Sequence, residues 1–436
     1  MQHYGIISLG SIGHLNPLCV LGRELQQRGN KVTFLGIPDF QKVVETAGLH
    51  YRVIGNELFP IGSFAKFSRN LGVKKGLDGL KDSISWFKKN SVVLFQEAPK
   101  VLEDASVNAL IIDQTTPAGV AVADYTAIPY VITSTALLFN RESRVPPFFT
   151  NWDYNPALWA RLRNHLANTF FYHITKSVRD YIIEQRKLWK LPTSRRRTKR
   201  NANYLYENQL AQISQIPKEF DFPRIKLPPC FHYAGPFIDP SGFEPTLSPS
   251  VSFPYERLND KPLIYASLGT IQNQEKEYFE IIANACAGLD IQLIISLGGA
   301  DMNPSDYNLR NAIAVPFAPH QQLLKRSDLV ITHAGLNTVL GALAEAKPMV
   351  AIPITNEQPG IAARIRRSGA GKVVPLNNLH VDSLREIIRV VLKEDTYKHN
   401  AKQLQQAIKK AGGARQAAEI IELAISTNKP VLSGAL

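Results

Sequence analysis

Five short stretches of the chain carry side chains able to do chemistry. In Gly13-His14-Leu15-Asn16-Pro17 an imidazole follows a glycine turn, and that side chain titrates near neutral pH. Asp113 ends the apolar run 109–113. A carboxylate beside an imidazole fixes its tautomer and stabilises its protonated form, which is the base–orienter arrangement of general-base catalysis. His333-Ala334-Gly335-Leu336-Asn337-Thr338 joins an apolar run to a helical pattern. Its polar side chains and the free N–H groups of a helix start make an anion site suited to a pyrophosphate. Ser267-Leu268-Gly269-Thr270 is a small-residue turn that lets a phosphate approach the backbone, and Asn356-Glu357-Gln358-Pro359 offers a carboxylate and an amide to hydroxyl groups. Each has a plainer reading: His14 as a helix-start residue, Asp113 as a helix cap, and 356–359 as an ordinary loop.

These stretches need elements to position them. Residues 3–9 read as a buried strand, followed by a turn over Gly10–Gly13. A helix with Leu18, Leu21 and Leu25 at helical spacing comes next, stopped by Gly29, and then a strand at 31–37. This is the β-α-β opening of a doubly wound sheet. Strands at 109–113 and 129–136 extend it. The pattern restarts with strands at 262–270, 291–299, 328–335 and 348–354 and a helix from Gln358 to Ser368. The expected fold is therefore α/β, with two doubly wound Rossmann-like domains facing each other across a cleft. The expected division is an N-terminal domain over 1–238, a Pro- and Ser-rich linker over 239–262, and a C-terminal domain over 263–415. A last helix and tail, 416–436, would return to the N-terminal domain. Ligands of such sheets bind beyond the carboxyl ends of the strands, which is where all five stretches fall.

At 436 residues the chain has length for two domains, and 44% hydrophobic with 20% charged residues excludes global disorder. Fifty Lys and Arg against 37 Asp and Glu give a net charge of +13, which favours an anionic partner. Three scattered cysteines, Cys19, Cys230 and Cys286, form neither a zinc motif nor a disulfide framework. The first residues lack a secretory leader pattern, so the expected compartment is the cytoplasm. No zinc finger or RNA-recognition consensus supports nucleic acid as a partner. The first turn is not GxGxxG, which argues against a dinucleotide oxidoreductase. No Asp-x-Asp pair is present to hold a nucleotide through a divalent metal. Neither a metal nor a cofactor is expected.

Together these features resemble the family 1 glycosyltransferases of the GT-B fold. Residues 315–365 are similar to that family's donor-binding signature over their whole length. Segments of both domains, among them IIDQTTPAGVAVA, LAQISQIPKEFDFPR and LPPCFHYAGPF, look like its bacterial zeaxanthin-glucosylating branch. The resemblance implies an inverting transfer from a nucleotide sugar such as UDP-glucose. His14 would be the general base and Asp113 its partner. Gly13, Ser267, Gly269, Thr270, His333, Gly335, Asn337 and Thr338 would surround the diphosphate. Phe317, Ala318 and His320 would lie at the nucleotide base, and Glu357 and Gln358 at the sugar. Phe317 replaces the usual Trp, and His320 the usual Gln. Gly341 stands where many UDP-sugar users carry an acidic ribose ligand, which opens the way to TDP-sugars. A nucleotide-sugar epimerase is the alternative chemistry for this architecture.

The resemblance also implies a lipophilic hydroxylated acceptor, a xanthophyll such as zeaxanthin, held by the N-terminal domain. Aromatic residues at 55–100 and 135–200 suit it, among them Phe64, Trp86, Phe139, Phe148 and Phe149, although they read equally as core. Residues 186–200 hold eight basic residues and no acidic one, either a solvated loop or a contact with an anionic membrane surface.

Overall fold

The computed structural model describes residues 1–8, 11–73, 77–193, 210–244, 253–271, 273, 275–299, 302–309 and 312–434. The last seven residues of the basic 186–200 stretch (194–200), the middle of the expected linker (245–252) and Gly10 lie outside them.

Two parallel sheets form the frame. The first contains β1 (His3–Ile7), β2 (Lys31–Gly36), β3 (His50–Val53), β4 (Ala109–Asp113), β5 (Tyr130–Ser134), β6 (Gln212–Ser214) and β7 (Phe231–Tyr233), in the order β3-β2-β1-β4-β5-β6-β7. The second contains β8 (Leu263–Ser267), β9 (Gln292–Ser296), β10 (Ala312–Val315), β11 (Leu329–Thr332), β12 (Met349–Ala351) and β13 (Gly371–Val373), in the order β10-β9-β8-β11-β12-β13. Every pairing is parallel; Ile7 lies opposite Ile112, and Thr332 opposite Ser267. Both sheets are doubly wound, as expected. The central strands β1, β4, β8, β9 and β11 are buried along their whole length because helices cover both faces, whereas the edge strand β3 (HYRV) buries only Tyr51.

In the N-terminal half the helices are α1 (Ile12–Gln27), α2 (Gln41–Thr46), α3 (Ser63–Val73), α4 (Leu77–Asp104), α5 (Pro117–Thr126), α6 (Leu158–Ile174) and α7 (Lys176–Leu188). The C-terminal half adds α8 (Lys276–Cys286), α9 (His320–Arg326), α10 (Leu336–Ala344), α11 (Gln358–Ser368), α12 (Val381–Lys393), α13 (Asp395–Ala411) and α14 (Gly413–Thr427). No helix among the described residues is long and apolar enough to cross a membrane.

The first core packs β1, β2, β4 and β5 against α1, α4 and α5. It also takes in Ala417, Ala418, Ile421 and Ala424 of α14. The outer side of α14 is tied to α1 by Arg28, 3.2 Å from both Glu419 and Glu422. The second sheet separates two cores, one around Leu340, Leu343 and Ile361, the other around Phe279, Ile282 and Ile388.

Each strand order reverses direction at one place, between β1 and β4 and between β8 and β11. A crevice opens at such a switch point. The segments leaving β1 and β4 carry His14 and Asp113, and those leaving β8 and β11 carry Ser267–Thr270 and His333–Thr338.

Candidate active site

His14 is the third residue of α1, and Asp113 is the last of β4. Their side chains meet, with Nδ1 of His14 3.1 Å from Oδ2 of Asp113. Asp113 is fully buried while His14 keeps 20% of its surface exposed. A third group, absent from the sequence reading, joins them. Oγ1 of Thr135 lies 2.6 Å from His14 Nδ1 and donates to Oδ2 of Asp113. The other carboxylate oxygen accepts from the backbone N–H and hydroxyl of Thr115, at 2.8 and 2.7 Å. Asp113 therefore closes a turn before α5, whose cap is Thr116. With both carboxylate oxygens acting as acceptors, the proton of the imidazole belongs on Nδ1, and Nε2 keeps its lone pair for a substrate.

Electrostatics make this pair a poised base. Burial opposes charge on His14, but the carboxylate of Asp113, its hydrogen bond and the more distant Glu357 outweigh burial and hold the imidazole above its ordinary pKa. Burial likewise opposes charge on Asp113. His14, Thr135 and the Thr115 N–H outweigh it and hold the carboxyl below the usual range.

The second switch point supplies the opposite wall. The His333 ring sits between Gly269 and Gly335, where an added Cβ would lie 2.7 and 2.5 Å from it. Only glycine leaves room for the ring at these positions, and Gly269 also has a positive φ of 82°. Burial pushes His333 down to about 4, against a hydrogen bond with the Ser267 backbone, so the ring is neutral at pH 7. Its Nδ1 is buried and makes no hydrogen bond among the described residues. Such a buried ring nitrogen, beside the N-terminus of α10, is a group able to bond a polar ligand in the cleft. Ser267 at the end of β8 and Thr338 in the first turn of α10 are buried, whereas Thr270 is exposed. Phe317 and Ala318 are half-buried before α9. His320 opens α9, 2.9 Å from the Tyr265 hydroxyl, and burial with nearby His333 pushes it down to about 4. Gly341 lies inside α10 with Leu324 against it, so no carboxylate stands there.

The two walls touch. The Asn337 side-chain amide donates to the Gly13 carbonyl at 2.8 Å, and its oxygen accepts from Gln215 at 3.1 Å. Glu357 accepts from the backbone N–H of Leu137 at 2.9 Å, two residues beyond Thr135. Gln358 is buried, and its carbonyl oxygen accepts from the backbone N–H groups of Ile354 and Thr355 at 2.8 and 3.0 Å. Below the cleft Arg364 of α11 reaches Asp221 of the N-terminal half at 2.7 Å, and Asp221 also pairs with Arg224 at 2.7 Å.

The expected acceptor residues divide. Phe64 and Trp86 are buried in the first core, where Trp86 stacks on Phe67 at 4.3 Å and meets Phe59 at 4.7 Å. Phe139 and Phe148 stack at 4.7 Å and line a groove with Phe171. Phe149 stacks on Phe171 at 5.2 Å. No group of three or more His, Cys, Asp and Glu side chains able to hold a metal occurs among the described residues.

Comparison with known proteins agrees with this architecture. Residues 63–411 match the family model described as UDP-glucoronosyl and UDP-glucosyl transferase. The zeaxanthin glucosyltransferase of Pantoea ananas is 31% identical, over 100% of this chain and 98% of that protein. That of Pseudescherichia vulneris is 30% identical, over 99% and 100%. Among solved structures, the calicheamicin glycosyltransferase CalG4 superposes with a TM-score of 0.74 at 20% identity, covering 99% of this chain and 100% of that one. The glycosyltransferase VinC in complex with DTDP gives 0.69 at 17% identity, covering 98% and 100%. The fold is thus the two-domain GT-B arrangement, and the chain belongs to the UDP-glucoronosyl and UDP-glucosyl transferase family of hexosyltransferases.

Proposed function

We propose that this transferase moves glucose from UDP-glucose to a hydroxyl of a lipophilic acceptor, a xanthophyll such as zeaxanthin, with inversion at the anomeric carbon. The observation that carries the reading is the His14–Asp113–Thr135 cluster set across a narrow cleft from the His333–Asn337 turn. Nε2 of His14 accepts the proton of the acceptor hydroxyl as its oxygen bonds to the anomeric carbon. The carbon–oxygen bond to the nucleotide breaks on the far side. The diphosphate leaves with that electron pair, facing the N-terminus of α10 and His333. Displacement from one face of an α-linked donor gives a β-glycoside. The groups named here supply base and leaving-group stabilisation without a metal.

In this reading residues 1–238 form the acceptor domain, with Phe139, Phe148 and Phe149 beside the acceptor, and residues 263–415 form the donor domain. Glu357 and Gln358 hold the sugar. In this reading the enzyme works in the cytoplasm, against the membrane surface in which so apolar an acceptor dissolves. Support for the acceptor comes from the two zeaxanthin glucosyltransferases that match over full length. The test is incubation with zeaxanthin in detergent micelles and UDP-glucose or TDP-glucose, read by chromatography and mass spectrometry. A hexosylated xanthophyll from UDP-glucose supports the reading. No product from either donor despite intact nucleotide-sugar binding removes the acceptor assignment.

A second reading is favoured by Gly341. Without a carboxylate there, the ribose loses a contact of roughly 1–3 kcal/mol, and a TDP-sugar with another hydrophobic acceptor fits. Product from TDP-glucose alone would select it.

A further inference from the structure

Helix α6 is built inside out. It buries only the small or polar Ala160 and Asn164, the latter donating to the Ser143 carbonyl at 3.0 Å. Its large apolar residues point to solvent: Leu158 is 78% exposed, Trp159, Leu162 and Leu166 are 60%, and Phe170 is 54%. At about 100° per residue these five fall within one third of the helix circumference. Arg161 and Arg163 border the stripe on opposite sides, and Arg163 lies over the Trp159 ring at 5.2 Å. The helix also carries His165 and His173, and no Asp or Glu. Such a face, apolar in the middle, aromatic at one end and basic along its edges, suits the plane between headgroups and acyl chains. The helix itself offers a protein partner's cations no carboxylate, and Asp153 beside Arg163 is already paired with Arg366 at 2.6 Å.

We propose that α6 is the membrane-docking element of this protein, lying in the surface of an anionic bilayer with Leu158, Leu162 and Leu166 inserted and Arg161 and Arg163 at the headgroups. The inner side of the same helix supplies Phe171 to the groove of Phe139 and Phe148. Docking would hold that groove at the lipid surface; this consequence rests on the proposed function, whereas the docking itself does not.

The test uses the full chain and vesicles of equimolar phosphatidylglycerol and phosphatidylcholine. The chain is expected to co-sediment with them, less so with phosphatidylcholine alone and less as salt is raised. The triple variant Leu158→Ser, Leu162→Ser, Leu166→Ser changes only exposed side chains, so it should fold and bind UDP-glucose as the parent does. Its partition onto the vesicles should fall at least about tenfold. Equal partition of variant and parent overturns the proposal, as does a parent that ignores anionic vesicles. A parent that forms dimers lost in the variant, with no vesicle binding by either, also overturns it and assigns the stripe to a second copy. Micellar xanthophyll glucosylated by a parent that does not dock would sink the docking element and leave the function standing. Docking without xanthophyll transfer would do the reverse.

Discussion

The Asn337 side chain donates to the Gly13 carbonyl at 2.8 Å, joining the two domains one residue from His14. That carbonyl is available because of Pro17. In an α-helix the carbonyl of residue 13 accepts from the N–H of residue 17, and proline has none. Pro17, inside α1, thus exports one backbone acceptor to the opposite wall of the cleft. Pro17→Ala would return an N–H to α1 and compete for the Gly13 carbonyl. The expected result is a thermally more stable chain whose kcat/KM falls by several-fold. Unchanged kinetics with raised stability would show that the Asn337 contact does not help align the walls.

His14→Ala should lower kcat by about 10²- to 10⁴-fold, the usual contribution of a positioned base. The dissociation constant for UDP-glucose, measured calorimetrically, should stay near that of the parent because His14 faces the acceptor. A variant with near-parental kcat would remove His14 from the mechanism and leave the fold untouched.

Asp113→Asn tests the electrostatic half of the pair. The carboxylate raises the His14 pKa against burial. Without it burial prevails and the pKa drops. A base must be neutral to act, so the rising acid limb of the kcat/KM profile should move to lower pH while the plateau falls. A lower plateau with an unmoved limb would mean that Asp113 only packs.

Thr135→Val keeps the shape of the side chain and removes its contacts with His14 and Asp113. Losing about 1–1.5 kcal/mol of positioning corresponds to roughly a tenfold drop in kcat. The KM for the donor should not change, since Thr135 stands on the acceptor side.

The central strands of both sheets were legible because they are apolar runs whose turns carry glycine, whereas the short strands β3 (HYRV), β6 (QIS), β7 (FHY) and β13 (GKV) have no such run and escape the sequence reading. The meeting of His14 and Asp113 was legible because one follows and the other ends a strand that such a fold places at its switch point. Thr135 was not, since a threonine among Thr133, Ser134 and Thr135 carries no signal until β5 is known to lie beside β4. Gln215 was hidden for the same reason, as its partner Asn337 is 122 residues away. Phe64 and Trp86 look like the walls of a tunnel in sequence, and composition cannot separate such residues from the aromatic core in which they are buried. The inverted face of α6 was equally hidden: its hydrophobic periodicity is that of a packed helix, and only the structure shows which side meets the protein.

The buried network under the cleft gives the last prediction. Asp221 accepts from Arg364 of the C-terminal half at 2.7 Å, from Arg224 at 2.7 Å and from the Tyr233 hydroxyl at 3.0 Å. Burial opposes its charge, but the two guanidinium groups hold its carboxyl down at about 2. An unfolded aspartate titrates near ~3.9. The contribution of this group to stability is therefore complete above that value and lost as pH falls from there towards 2. Asp221→Asn removes the counter-charge that two buried guanidinium groups share and leaves Arg224 only the influence of Glu142, a loss of about 3–5 kcal/mol. Because the network joins the two halves, the parent is expected to unfold in one denaturant transition and the variant in two, with one half unfolding at a lower concentration. The variant should also lack the part of the acid sensitivity that lies below pH ~3.9. A variant unfolding in one step at the parental midpoint would show that other contacts across the cleft, such as Glu357 with Leu137, suffice to couple the halves.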